Sequence, residues 1–139
     1  MLKFISVNFE FIGGILVAIL DIKKAGDLVL KQQAQPIERI DKTIRTLLDD
    51  MAETMYKANG VGLAAPQVGQ SIQVVVIDVG EGLLELINPT IIRKEGTEID
   101  TEGCLSVPEI YGEVERAAKV SVEYLNRRGK RHRITATGL

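Results

Sequence analysis

A chain of 139 residues, 45% hydrophobic and 26% charged, is the size of one globular domain and too apolar to stay disordered. A formal net charge of −2 and the absence of tryptophan leave no basic field for nucleic acid and no polybasic patch for a membrane. One cysteine excludes an intrachain disulfide and fits a reducing compartment, so its chemistry is packing, nucleophilic attack or metal ligation.

At the N-terminus, FISVNFEF (4–11) places Ile5, Val7, Phe9 and Phe11 on one side and Ser6, Asn8 and Glu10 on the other, which is strand periodicity. The apolar run IGGILVAIL ends at Leu20, short of the roughly 20 residues that cross a bilayer. It is a poor signal peptide as well: Lys3 is the only basic residue before it, Glu10 interrupts, and Asp21 follows with no small-residue cleavage site. An edge strand or a non-native leader is the reading it supports.

From Pro36 the period changes. Ile37, Ile40, Ile44, Leu47, Leu48, Met51, Met55 and Ala58 recur at helical spacing, with Glu38, Arg39, Asp41, Lys42, Arg45, Asp49 and Asp50 filling the other face. The spacing predicts an amphipathic helix over 37–58, about six turns long. Asn59-Gly60 is its expected stop, since both residues tolerate the left-handed conformation. GVGLAAPQVG (60–69) then leaves the helix as a loop. IQVVVIDV (72–79) reads as a buried strand, LINPTIIRKE (86–95) as another, and the tail around NRRG (126–129) as a hairpin. One helix among many strands indicates an α+β domain with mostly antiparallel sheet. No repeat, low-complexity segment or second composition regime divides the chain.

Two stretches carry chemistry. GVGLAAPQVG sets three glycines and two alanines around one amide, Gln67. A phosphate-cradling loop would need a lysine and a following helix, and this segment has neither. A plain helix-to-strand turn needs one or two glycines. Alternatively, a second backbone lies along this one, with Gln67 as an amide donor beside the pairing edge. In TEGCLSVP (101–108), Cys104 follows Gly103 between Glu102 and Ser106, and Pro108 closes the segment. That setting is polar and turn-like, which argues against inert packing. A nucleophilic thiolate needs a base. The only histidine, His132, alternates with Lys130 and Ile134 on the hairpin, where a cross-strand role fits better, so a Cys-His hydrolase is the weaker reading.

GVGLAAPQ and EGCLS resemble, in order, the first two signature motifs of the peptide deformylases, and the resemblance runs colinearly from about Val17 to Leu139. It implies a deformylase-like α+β fold, with mostly antiparallel sheet packed on the one long helix. It also implies a cytoplasmic enzyme of bacterial type that removes the formyl group from the N-terminal Met of newly made proteins. Its partners would be N-formyl-Met peptides, close to the ribosome, with no nucleic acid read directly and no membrane span. The implied cofactor is a divalent metal, Fe2+ in the family, with Zn2+, Ni2+ or Co2+ as substitutes. Position by position, the resemblance makes Cys104 a metal ligand. Gln67 and the backbone N–H of Leu105 become donors to the developing oxyanion, and Val61, Gly62 and Gly103 the backbone positions that pair with the substrate. Glu102 and Arg116 would hold the ligand loop.

The family's third motif, a helix bearing HExxH with two histidine ligands and a glutamate base, is not among these 139 residues, and His132 matches neither histidine. The expectation is therefore a single deformylase-like domain over 17–139, C-terminally incomplete through a partial or frameshifted gene. On this reading the chain is inactive by itself and short of packing partners for its sheet. A homologue that binds formyl peptides without cleaving them is the alternative. Residues 1–16 are expected to be an N-terminal extension and a translated ribosome-binding region, because Gly13-Gly14 can be encoded by GGAGG-type DNA just before Val17. An N-terminal mass retaining Met1 would overturn that expectation.

Overall fold

The computed structural model describes residues 8–12, 15–24, 28–95, 98–104, 107–116 and 119–137. Strands β1 (Asn8–Ile12) and β2 (Ile15–Ile19) form an antiparallel hairpin, so the alternating N-terminal stretch is a strand from Asn8 on; its residues 4–7 lie outside the described set. Helix α1 (Lys42–Lys57) follows, then β3 (Gly62–Ala64), β4 (Val74–Ile77), β5 (Leu84–Glu95), β6 (Glu98–Cys104), β7 (Val107–Arg116), β8 (Lys119–Leu125) and β9 (Arg131–Thr137). Five of the strands make an antiparallel sheet in the order β3-β4-β5-β8-β9, while β6 and β7 pair as a separate hairpin. The expected α+β class, with one helix and a mostly antiparallel sheet, is what the chain adopts. No described helix is long and apolar enough to cross a membrane.

Helix α1 begins at Lys42, five residues later than the periodicity predicts. Asp41 takes the cap position and accepts the N–H of Ile44 at 3.1 Å, the role a short carboxylate plays best. Pro36 to Ile40 is held in another conformation. The side chain of Asn88 accepts the Ile37 N–H at 2.7 Å and donates to its carbonyl at 2.8 Å, and Gln35 bridges to Ile72 in parallel. Ile37 and Ile40 still pack against the core, which is why they mimic about one and a half further helical turns in the sequence. The C-terminal end follows expectation. Asn59 takes a left-handed φ of 55°, its N–H bonds the Tyr56 carbonyl, and that of Gly60 reaches Met55 at 2.9 Å, the paired bonds of a Schellman stop.

The core lies between α1 and one end of the sheet. Leu48, Met51 and Met55 of the helix meet Leu63, Val74, Val76 and Ile87, all fully or almost fully buried. The turn of the last hairpin locks this arrangement: Arg127 donates to Glu85 on β5 and to Asp49 on α1, both at 2.7 Å. Those contacts, the Glu85 carboxylate foremost, hold the Arg127 pKa above its ordinary value.

Strand β2 docks on the helix through side chains. Asp50 accepts the Ala18 N–H and Thr54 the Leu20 N–H, both at 2.8 Å. The sequence places Asp50 on the solvated face, yet it is half-buried here, and burial raises its carboxyl pKa, with a smaller push from Asp49 and an opposing pull from the Ala18 N–H. A raised carboxylate pKa contributes stability at acid pH that is lost as pH climbs through the folded value. The Asp50→Asn variant keeps an acceptor for Ala18 and removes the charge. It is expected to melt above the parent at pH 7, with the difference closing below about pH 4.

Candidate functional site

The stretch GVGLAAPQVG is not a loop. It is strand β3 followed by a short 3-10 helix, Ala65–Val68, closed by Gly69 at a left-handed φ of 87°. Once the strand is placed, most of its small residues have local reasons. Gly60 completes the helix stop, Ala65 is fully buried in the core, and Gly69 makes a turn that L-residues resist.

Gly62 is different. It has no positive φ, and an added Cβ would meet only Val76 O at 3.7 Å and the Ile77 side chain at 3.9 Å, ordinary contacts. The fold does not require a glycine there.

Strand β3 ends the order of its sheet. The Val61 carbonyl is turned inward and accepts the Asp78 N–H at 2.8 Å. Bonded and non-bonded pairs alternate along an antiparallel ladder, so the next pairs, Gly62↔Ile77 and Ala64↔Val75, are the alternates with backbone groups pointing away from β4. The Ala64 N–H fits this direction, since it is taken at 3.0 Å by the side-chain oxygen of Gln67. A backbone N–H can be met only by the amide oxygen, so this bond sets Nε2 as the donor end of Gln67. The turn is braced from behind by the Lys23 N–H on the Gln67 carbonyl.

The strand's entry is clamped by a pair that the sequence does not mark. Tyr56, in the last turn of α1, donates to Asp78 at 2.7 Å, and Asp78 also accepts the Gly80 N–H. The bond to the Asp78 carboxylate pushes the Tyr56 hydroxyl up to about 12 and holds Asp78 below the ordinary carboxylate value. Nothing in the periodicity of α1 or β4 links residues 22 positions apart.

Gln67, Val61 and Gly62 thus come together on one edge. Gly103 and Cys104 lie at the end of β6, opposite Tyr111 and Val107, with a register shift between them. The stretch read as turn-like is therefore strand as far as Cys104. Leu105 falls outside the described residues, as do the side chains of Glu102, Cys104 and Arg116. Among the described residues no group of three or more His, Cys, Asp or Glu could hold a metal ion. His132 is committed to its hairpin: it lies opposite Tyr124, its ring stacks on that of Tyr124 with centroids 5.7 Å apart, and Nε2 meets the Asn126 amide at 3.1 Å.

Comparison with known proteins identifies the family. Residues 19–139 match the polypeptide deformylase family. A peptide deformylase of Acetivibrio thermocellus is 59% identical over 121 residues, 87% of this chain and 70% of that protein. One from Desulfitobacterium hafniense is 60% identical over 122 residues, 88% and 81% of the two chains. The crystal structure of peptide deformylase from Thermotoga maritima superposes with a TM-score of 0.84 at 43% identity, covering 86% of this chain and 82% of that one. With its glycine-rich edge strand, its oriented glutamine and this degree of identity, the chain belongs to the peptide deformylase family.

Proposed function

We propose that this chain carries the peptide-binding edge and part of the oxyanion site for hydrolysis of the formyl group from N-terminal methionines of newly made proteins. Gly62 carries the proposal, a glycine on an outward-facing edge where the fold tolerates a side chain. An extended peptide laid along β3 exchanges main-chain bonds with Gly62, beside Val61, and Gly103 of β6 is the further pairing position assigned by its match to the family motif. Its formylated end sits at the Gln67 end of the strand, so the rest of the peptide runs back toward Val61, antiparallel to β3. Formamide hydrolysis develops charge on one oxygen. Gln67 Nε2 and the Leu105 N–H are the donors assigned to it, and removing one such donor typically costs about 10²–10³ in rate. Cys104 is the metal ligand assigned by its match to the family motif. A catalytic centre of this kind takes three protein ligands, and the described residues do not assemble that set, so no step is derived through the metal. Presence in the cytoplasm and proximity to the ribosome follow from the nascent substrate and belong to the same proposal.

The test is formyl-Met tripeptide binding followed by calorimetry on the parent chain and on Gly62→Val. The variant is expected to melt with the parent, because its Cβ makes only ordinary van der Waals contacts, and to bind the peptide at least about tenfold more weakly, because a branched side chain holds an incoming backbone off the edge. Equal affinity in the two proteins would sink the assignment. A second reading, a Cys-His hydrolase built on Cys104 and His132, draws no support from a histidine engaged by Tyr124 and Asn126.

A further inference from the structure

The half of the five-stranded sheet beyond α1 carries its charge unevenly. Register and alternation put Arg93 and Glu95 of β5, Lys119 and Glu123 of β8, and Arg131 and Arg133 of β9 on one face. Glu95 is shared by Arg93 and by Lys119, the latter at 3.8 Å. Glu123 is shared by Arg131 at 3.0 Å and Arg133 at 3.3 Å. Four cations therefore stand over two carboxylates. At the adjoining turn, Arg128 and Lys130, both exposed, add two more with no ion pair among the described residues. The formal charge of the whole chain is −2, so this positive excess is segregated against an otherwise acidic molecule.

A charged guard against edge-to-edge pairing would need only a lysine or two on β9. Here the cations cross three strands, and three of them are arginines with side chains 66–74% exposed. Guanidinium forks match phosphate oxygens two at a time. Between them the hydroxyls of Ser121 and Thr135, 2.9 Å apart, add short polar contacts. The ladder from Lys119↔Thr137 to Leu125↔Arg131 extends about 20 Å at ~3.3 Å per residue, enough to span several phosphates of one strand. The strip offers no aromatic ring for base stacking, since the Tyr124 ring alternates onto the opposite face with His132.

We infer that this strip is a contact surface for the phosphate backbone of folded RNA, bound through charge and without reading sequence. The inference does not depend on deformylation. The test measures fluorescence anisotropy of a labelled RNA duplex of about 16 base pairs, titrated with the full chain between roughly 50 and 200 mM salt. For about four phosphates neutralised, log affinity should fall with log salt at a slope near −3 to −4. Arg128→Glu with Lys130→Glu alters only turn side chains, so it should melt like the parent while weakening RNA binding at least about tenfold. Arg131→Gln with Arg133→Gln should reduce the slope by about two. No measurable binding by the parent, unchanged affinity in both double variants, or tighter binding to phosphatidylglycerol vesicles than to the duplex would each overturn the inference.

Discussion

Loaded with Fe2+, Ni2+ or Co2+, these 139 residues are expected to bind formyl-Met peptides and leave them uncleaved. The sequence contains one cysteine and one histidine, and that histidine is stacked on Tyr124 and bonded to Asn126. A catalytic metal of this type needs three protein ligands and an open position, and a missing general base alone costs about 10²–10⁴ in rate. Formate release measured with an excess of metal-loaded chain is therefore expected to equal the buffer blank. Release that disappears in Cys104→Ala would show that these residues assemble a working centre, and the expectation would fail.

Truncating Met51 to alanine is expected to cost about 2–5 kcal/mol of stability, read as a shift of the urea midpoint at constant slope. Met51 is fully buried on α1 within the cluster that includes Leu63, Val74, Val76 and Ile87. Its neighbours belong to a helix and a sheet that cannot both collapse into the vacated volume, so a cavity term adds to the lost burial. Leu47, on the same helix but only partly buried, should cost distinctly less. Equal losses at the two positions would mean that α1 is not seated on the sheet as described. Because β3 and the Gln67 turn rest on this cluster through Leu63 and Ala65, Met51→Ala should also weaken formyl-peptide binding, whereas Gly62→Val should weaken binding without moving the melt.

Much of the site was legible before the structure because its signals are local. Asn59-Gly60 announces a helix stop wherever it falls, and the stop is there. GVGLAAPQ and EGCLS are contiguous motifs, and each predicted strand from 72 onward has its counterpart in the sheet. The misreadings came from nonlocal bonds. Ile37 and Ile40 have helical spacing, yet the Asn88 side chain, 51 residues away, takes both backbone groups of Ile37, which lies outside the helix. Asp50 has the sequence position of a solvated charge, and it is half-buried because β2 brings the Ala18 N–H to it. GVGLAAPQVG looks like a loop because three residues of strand are too few to show a period. Only pairing with β4 makes them one.

Charge shows the same division. A net value of −2 suggests no basic field, and as a sum over the chain that is correct. Antiparallel register then sets Arg93, Lys119, Arg131 and Arg133 side by side around Glu95 and Glu123, which no sum can anticipate.

By itself, then, the sequence determined the family, the α+β class, the helix stop and the identity of the one amide in the glycine-rich stretch, because each is written in contiguous residues or in a short period. The tertiary structure decided which of the small residues serve the fold and which, at Gly62, the fold does not require, and it set the donor end of Gln67. Those properties depend on which backbone groups β4, α1 and the Ala64 N–H have already engaged, and such bonds exist only once distant segments meet.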